Sequence, residues 1–117
     1  MREKAIFPDI VKSFEKGWDV ILRGAPGLLI AHASKNGVKP AVDCTIALSA
    51  IESAAPVFGL GACWAGYFMS AARENKAIVD FLNIPFDHHV FGALMLGKPK
   101  FKYKRIPPRQ KIKAEWR

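Results

Sequence analysis

The sequence predicts an α+β layer structure in which helices are mixed with a few separated strands. Three observations point to it. Two long segments, residues 6–22 and 42–58, carry apolar side chains at helical spacing. Two short runs, 28–33 and 89–96, are apolar and partly β-branched, as strands are. Glycine and proline clusters separate these segments. Half of the 117 residues are apolar, enough for one ordinary domain with a core, so a single domain spanning 1–117 is expected.

The first helix is expected over 6–22, with Ile6, Ile10, Val11, Phe14, Trp18 and Ile21 on one face. Lys12, Glu15, Lys16 and Asp19 lie on the other, so only one face should pack. Gly24-Ala25-Pro26-Gly27 breaks the chain, and Leu28 to Ala33 reads as a central strand buried on both sides. The polar stretch Ser34 to Pro40 is a loop.

A second helix is expected from about Val42 towards Phe58, with Asp43 placed to cap it or to complement its N-terminal dipole. Its small residues predict close packing. Pro56 has no amide hydrogen for the carbonyl of Glu52, so the last turn should be kinked or tightened. Ala62-Cys63-Trp64 fits a short strand, and Tyr67 to Leu82 gives one or two helices ended by Asn83-Ile84-Pro85. His89 to Leu96 is a second long strand, with His88 and His89 at its entrance. Phe101 to Lys104 and Ile112 to Trp116 alternate apolar with charged residues, as half-exposed extended segments do.

Charge is unevenly distributed along the chain. Residues 1–97 hold nine basic and nine acidic side chains, whereas 98–117 hold nine basic and one acidic, so the whole net charge of +8 arises in the last 20 residues. Such a patch fits a phosphate, a nucleic acid or an anionic membrane, or simply a solvated tail. The N-terminus begins with Met1-Arg2-Glu3-Lys4-Ala5 and lacks the apolar stretch of a secretory signal. Two cysteines, Cys44 and Cys63, sit in apolar runs without a CxxC pair and are expected as buried free thiols in a reducing cytoplasm. Ser53 to Ala72 is 20 residues without a charge, but Pro56, Gly59, Gly61 and Gly66 argue against one membrane-spanning helix there.

The most informative segment is Gly59-Leu60-Gly61-Ala62-Cys63-Trp64-Ala65-Gly66. Glycine is used where another group approaches the backbone with no Cβ in the way, and these neighbours are too apolar for a solvated loop. A flat ligand against this backbone, with a phosphate on the basic tail, would use both features. Two plainer alternatives stand beside it: Trp64 as a core aromatic, and Gly59-Leu60-Gly61 as a helix stop.

The order of motifs resembles the C-terminal part of the nitroreductase-like family of FMN-dependent oxidoreductases. The blocks that carry the resemblance are Gly24-Ala25-Pro26, Asp43 opening an Ala-rich helix, the 59–66 segment, Leu82-Asn83-Ile84-Pro85, Val90-Phe91-Gly92-Ala93 leading to Gly97-Lys98-Pro99-Lys100, and Arg105-Ile106-Pro107-Pro108-Arg109 with Trp116. In particular it is similar to the branch that often carries an iron-sulfur ferredoxin-like domain ahead of the flavin domain.

The resemblance implies a mixed, mainly antiparallel sheet flanked by helices. It implies that Cys63, Trp64, Ala65 and Gly66 lie against the isoalloxazine ring, and that Arg109, with Arg105 or Lys111, meets the FMN phosphate. It further implies a homodimer with FMN at the subunit interface, a nicotinamide or iron-sulfur electron donor, and a nitroaromatic, quinone or similar small-molecule acceptor. The family's Arg-rich segment at the start of the flavin domain has no counterpart in this sequence. No side chain is assigned as acid or base and no metal ligands are assigned, because flavin redox chemistry belongs chiefly to the cofactor. Two rival functions remain: a non-catalytic fragment or interaction protein of the same fold, and a nucleic-acid-binding module built on the basic tail with Phe101, Tyr103 and Trp116. The latter leaves the glycine segment unexplained.

Overall fold

The computed structural model describes residues 7–117; Ile6 and the charged N-terminus lie outside the described residues. In chain order the elements are α1 (Phe7–Glu15), β1 (Gly27–Ser34), α2 (Pro40–Ala54), a 3-10 turn (Ala55–Phe58), β2 (Gly61–Trp64), α3 (Gly66–Glu74), α4 (Lys76–Phe81) and β3 (His88–Gly97). The three strands form one antiparallel sheet in the order β1-β3-β2. The chain is therefore α+β, as the sequence predicts.

The strand alternation divides the core between two faces of β3. Ala93 and Met95 point to the face covered by α3, where they meet Ala65, Phe68 and Ala72. Leu28 and Ile30, their partners on β1, join from the same side. Gly92 and Leu94 belong to the opposite face, which α2 covers. A Cβ on Gly92 would stand 2.4 Å from Cδ1 of the wholly buried Leu48, so the absent side chain is what lets α2 seat so closely. Leu48 and Leu94 are the largest fully buried side chains among the described residues.

Several expectations require correction. α1 ends at Glu15 rather than near Leu22, because Gly17 takes φ +80° and the chain then winds around the carboxylate of Asp19. Its Oδ1 accepts from the amides of Ile21 and Leu22 at 3.1 and 2.8 Å, and its Oδ2 accepts from Gly24 at 3.1 Å. These charge-assisted bonds hold the Asp19 carboxyl below its ordinary range, the Leu22 and Gly24 amides contributing most. Val11, Phe14 and Trp18 stay exposed instead of packing as one apolar face.

β1 is an edge strand and half-buried, whereas β3 is central. An apolar run fixes that a strand is partly covered but not which neighbours it receives. α2 begins at Pro40, with Lys39 as its uncapped N-terminal residue, so Asp43 complements the helix dipole but does not cap. Its small residues pack only along the Cys44–Leu48 stripe, against the sheet; Val42 and Ile46 are exposed. Pro56 tightens the end into the 3-10 turn, and Gly59 at φ +68° closes it, so the helix-stop reading of Gly59 is correct. Ser53 to Ala72 is broken among four elements, although Pro40–Phe58 is long and apolar enough, by length and composition alone, to cross a bilayer. Phe101–Lys104 and Ile112–Trp116 form no strand; the segment is irregular and exposed, because it pairs with neither outer edge of the sheet.

Candidate functional site

The short strand β2 presents its two last residues to opposite faces. Cys63 pairs with Met95 and Trp64 with Leu94, so the thiol side faces α3 while the indole turns toward α2. The indole Nε1 donates to Oε2 of Glu52 on α2 at 2.8 Å, which fixes the ring's direction. Trp64 remains 40% exposed, so it is a bridge between β2 and α2 rather than the core aromatic of the plainer alternative.

With the indole turned aside, the backbone that follows is open. The amide of Ala65 donates to the carbonyl of Ala93 at 3.0 Å, anchoring the turn to the central strand, and Ala65 is 2% exposed. Gly66 then starts α3. A Cβ built on Gly66 meets nothing within 4 Å, so the space beside it is free. Ala65 gives no side-chain cap to this helix, and the first amides of α3 are left without an intrahelical acceptor.

Cys63, Trp64, Gly66, Tyr67, Ser70, Met95, Ile21 and Arg23 line a cavity of about 420 Å³ at this place. A second cavity of about 250 Å³ adjoins it, sharing Arg23, Cys63 and Met95 and extending along Gly61, Ala62 and Gly97 to Lys98 and Pro99. Both are sized for a planar ring system or part of one. Cys63 is exposed, against expectation, because β2 is an edge strand with no neighbour beyond it among the described residues. Cys44 is buried on the sheet-facing side of α2, and burial, with Asp43 beside it, pushes its thiol up.

Of the residues singled out from sequence, Cys63, Trp64 and Gly66 are brought together, with Ala65 behind them. Arg105, Arg109 and Lys111 are not. They lie exposed in the irregular C-terminal segment, line neither cavity, and make no ion pair among the described residues.

The cation that does line both cavities is Arg23, which sequence reasoning overlooked. It has φ +54°, a left-handed conformation uncommon for a residue with a side chain, held by the turn that Asp19 organises. Its sequence signal was a single basic residue between Val20-Ile21-Leu22 and a glycine. Glu52 was also missed as a partner of Trp64, since twelve intervening residues hide the pairing.

Comparison with family models matches the nitroreductase family over residues 2–98. Among solved structures, the chain is similar to a nitroreductase of Bacteroides fragilis with bound FMN, at 25% identity and a TM-score of 0.59, over 80% of this chain and 50% of that one. It thus spans about half the length of that protein. No curated protein matches it.

Proposed function

The chain belongs to the nitroreductase family, and from that premise we propose that it is the C-terminal part of a flavin domain that passes reducing equivalents through FMN to a nitroaromatic, quinone or similar acceptor. Gly66 carries the proposal. It leaves open backbone beside a cavity of about 420 Å³, where a projecting side chain would exclude a flat ring. The residues present fit the group: Cys63, Trp64 and Gly66 would bound the ring, with Ala65 buried behind them, and the first amides of α3 would donate to its polar edge. Bound there, FMN would supply the redox chemistry, the protein contributing orientation and electrostatics.

On this reading Arg109, with Arg105 or Lys111, meets the phosphate, supported by the guanidinium's forked match to a dianion. That these residues line neither cavity supports a homodimer in which the C-terminal segment of one subunit would serve the FMN at the interface. A reducing cytoplasmic setting is supported by the two free thiols, Cys44 and Cys63.

FMN titration of the purified chain, followed by quenching of flavin fluorescence, tests the proposal. The parent should bind and Gly66→Val should not, since a β-branched side chain would fill the free space while the apo fold, read by circular dichroism, persists. A Gly66→Val protein that binds FMN like its parent would remove the ring assignment. A parent that binds no flavin would favour a non-catalytic interaction protein, for which the tail's separation from the cavity is the supporting observation.

A further inference from the structure

Far from the Cys63–Gly66 cavity, two imidazoles meet on the sheet. Nδ1 of His32 on β1 lies 2.8 Å from Nδ1 of His88 on β3, with ring centroids 5.0 Å apart. Trp64 pairs with Leu94, and His88 is six positions further along β3, roughly 20 Å at the rise of a strand. The pair belongs to a different region of the molecule.

A β-bulge creates this juxtaposition. From Gly27↔Leu96 to Ala31↔Gly92 the register is regular, but the next pair is His32↔Val90, leaving Phe91 as an extra residue on β3. In the regular register His32 would oppose Phe91 and share its face with His89. The shift instead places His32 opposite Val90 and on the face of His88, close enough for a diagonal cross-strand contact. His89 is left on the other face, edge-on to Phe91 at 6.2 Å. The strand ends are pinned beside the pair by the Lys35 amide donating to the Asp87 carbonyl at 2.9 Å.

We propose that His32 and His88 form a two-histidine chelate for a divalent transition metal of square-planar preference, Cu²⁺ above others. In the metal-free pair the 2.8 Å separation is that of the hydrogen bond between the two Nδ1 atoms. A metal about 2.0 Å from both nitrogens at a right angle would hold them about 2.8 Å apart, so each ring need only turn its lone pair from the other nitrogen towards the ion. Copper also stands highest in the affinity order for imidazole ligands. In the metal-free pair one Nδ1 carries the proton shared in the hydrogen bond; on binding, that proton moves to the same ring's Nε2, so both Nδ1 lone pairs are released with no net proton loss. Among the described residues no group of three His, Cys, Asp or Glu side chains forms a metal cage, so water or an external ligand completes the coordination.

The test is titration of the purified chain with CuCl₂ in a non-coordinating buffer with glycine as competing chelator, alongside electron paramagnetic resonance. The expected result is one saturable Cu²⁺ per chain with hyperfine splitting from two imidazole nitrogens, and weaker binding of Zn²⁺. His32→Ala and His88→Ala should each weaken binding by about tenfold or more, because the second bond of a chelate forms at high effective concentration. His89→Ala should change nothing. The resonance spectrum of the parent needs no substitution, so a poorly folding variant does not obscure the answer. Absence of saturable binding, a spectrum with one nitrogen, a sulfur-to-copper charge-transfer band from Cys63, or equal loss in His89→Ala would each overturn the proposal.

Discussion

Single residues decide whether the cavity beside β2 is a flavin site. Arg109 and Arg23 are the two cations in question, the first assigned by resemblance and the second by position. If Arg109 meets a phosphate, Arg109→Ala should weaken FMN by about tenfold or more and riboflavin far less, as a charge-assisted bond contributes about 1.5 to 3 kcal/mol and only FMN offers the phosphate. Lys102→Ala and Lys113→Ala, at residues that line neither cavity, lower the net charge equally, yet should alter FMN affinity little, since exposed charges are screened by salt. Paired FMN and riboflavin titrations give the answer, and equal losses in all three variants would return the tail to a generic basic surface. At this scale the sequence revealed glycine and tryptophan positions well, because a missing side chain is a strong local signal. It concealed Arg23 and Glu52, whose roles depend on a turn held by Asp19 and on a contact between α2 and β2.

The elements were legible wherever one local pattern sufficed. The β3 run, the tightened end at Pro56 and the stop at Gly59 all follow from periodicity, a missing amide hydrogen and a left-handed backbone. What local pattern could not convey was the end of α1, because apolar spacing continues through Trp18 and Ile21 after the helix has stopped. Nor could it tell the edge strand β1 from the central β3. The Asp19 turn has a measurable signature. Its folded carboxyl titrates below the ordinary value of 3.8, so its contribution to stability is present above that pH and is lost as pH falls through the lowered value. Asp19→Asn keeps the shape and removes the charge. The variant should have a lower urea midpoint than the parent at pH 7, and the gap should narrow towards pH 3; a gap independent of pH would show that the charge contributes nothing.

At the scale of the whole molecule, the buried and exposed apolar surfaces are out of proportion. The buried core among the described residues consists of nine side chains, five of them alanine or cysteine, while Phe14, Trp18, Val57, Phe58, Phe81, Phe86 and Trp116 are each at least 70% exposed. Both outer strands of the sheet keep an unpaired edge among the described residues. Apolar surface of this extent marks association, and an isolated chain with so small a core has a narrow margin of stability. Sequence composition could not reveal the imbalance, since half the residues being apolar says nothing about how many find partners. If a second copy covers these surfaces, folding is linked to assembly, and the melting temperature must rise with protein concentration. Scanning calorimetry over a hundredfold range of concentration, with sedimentation at the same concentrations, should show Tm increasing as dimer replaces monomer. Truncation after Lys111, which removes Trp116 and leaves the sheet and helices intact, should shift that equilibrium towards monomer. A Tm independent of concentration, in a chain that sediments as a monomer throughout, would mean that these apolar side chains await a different partner.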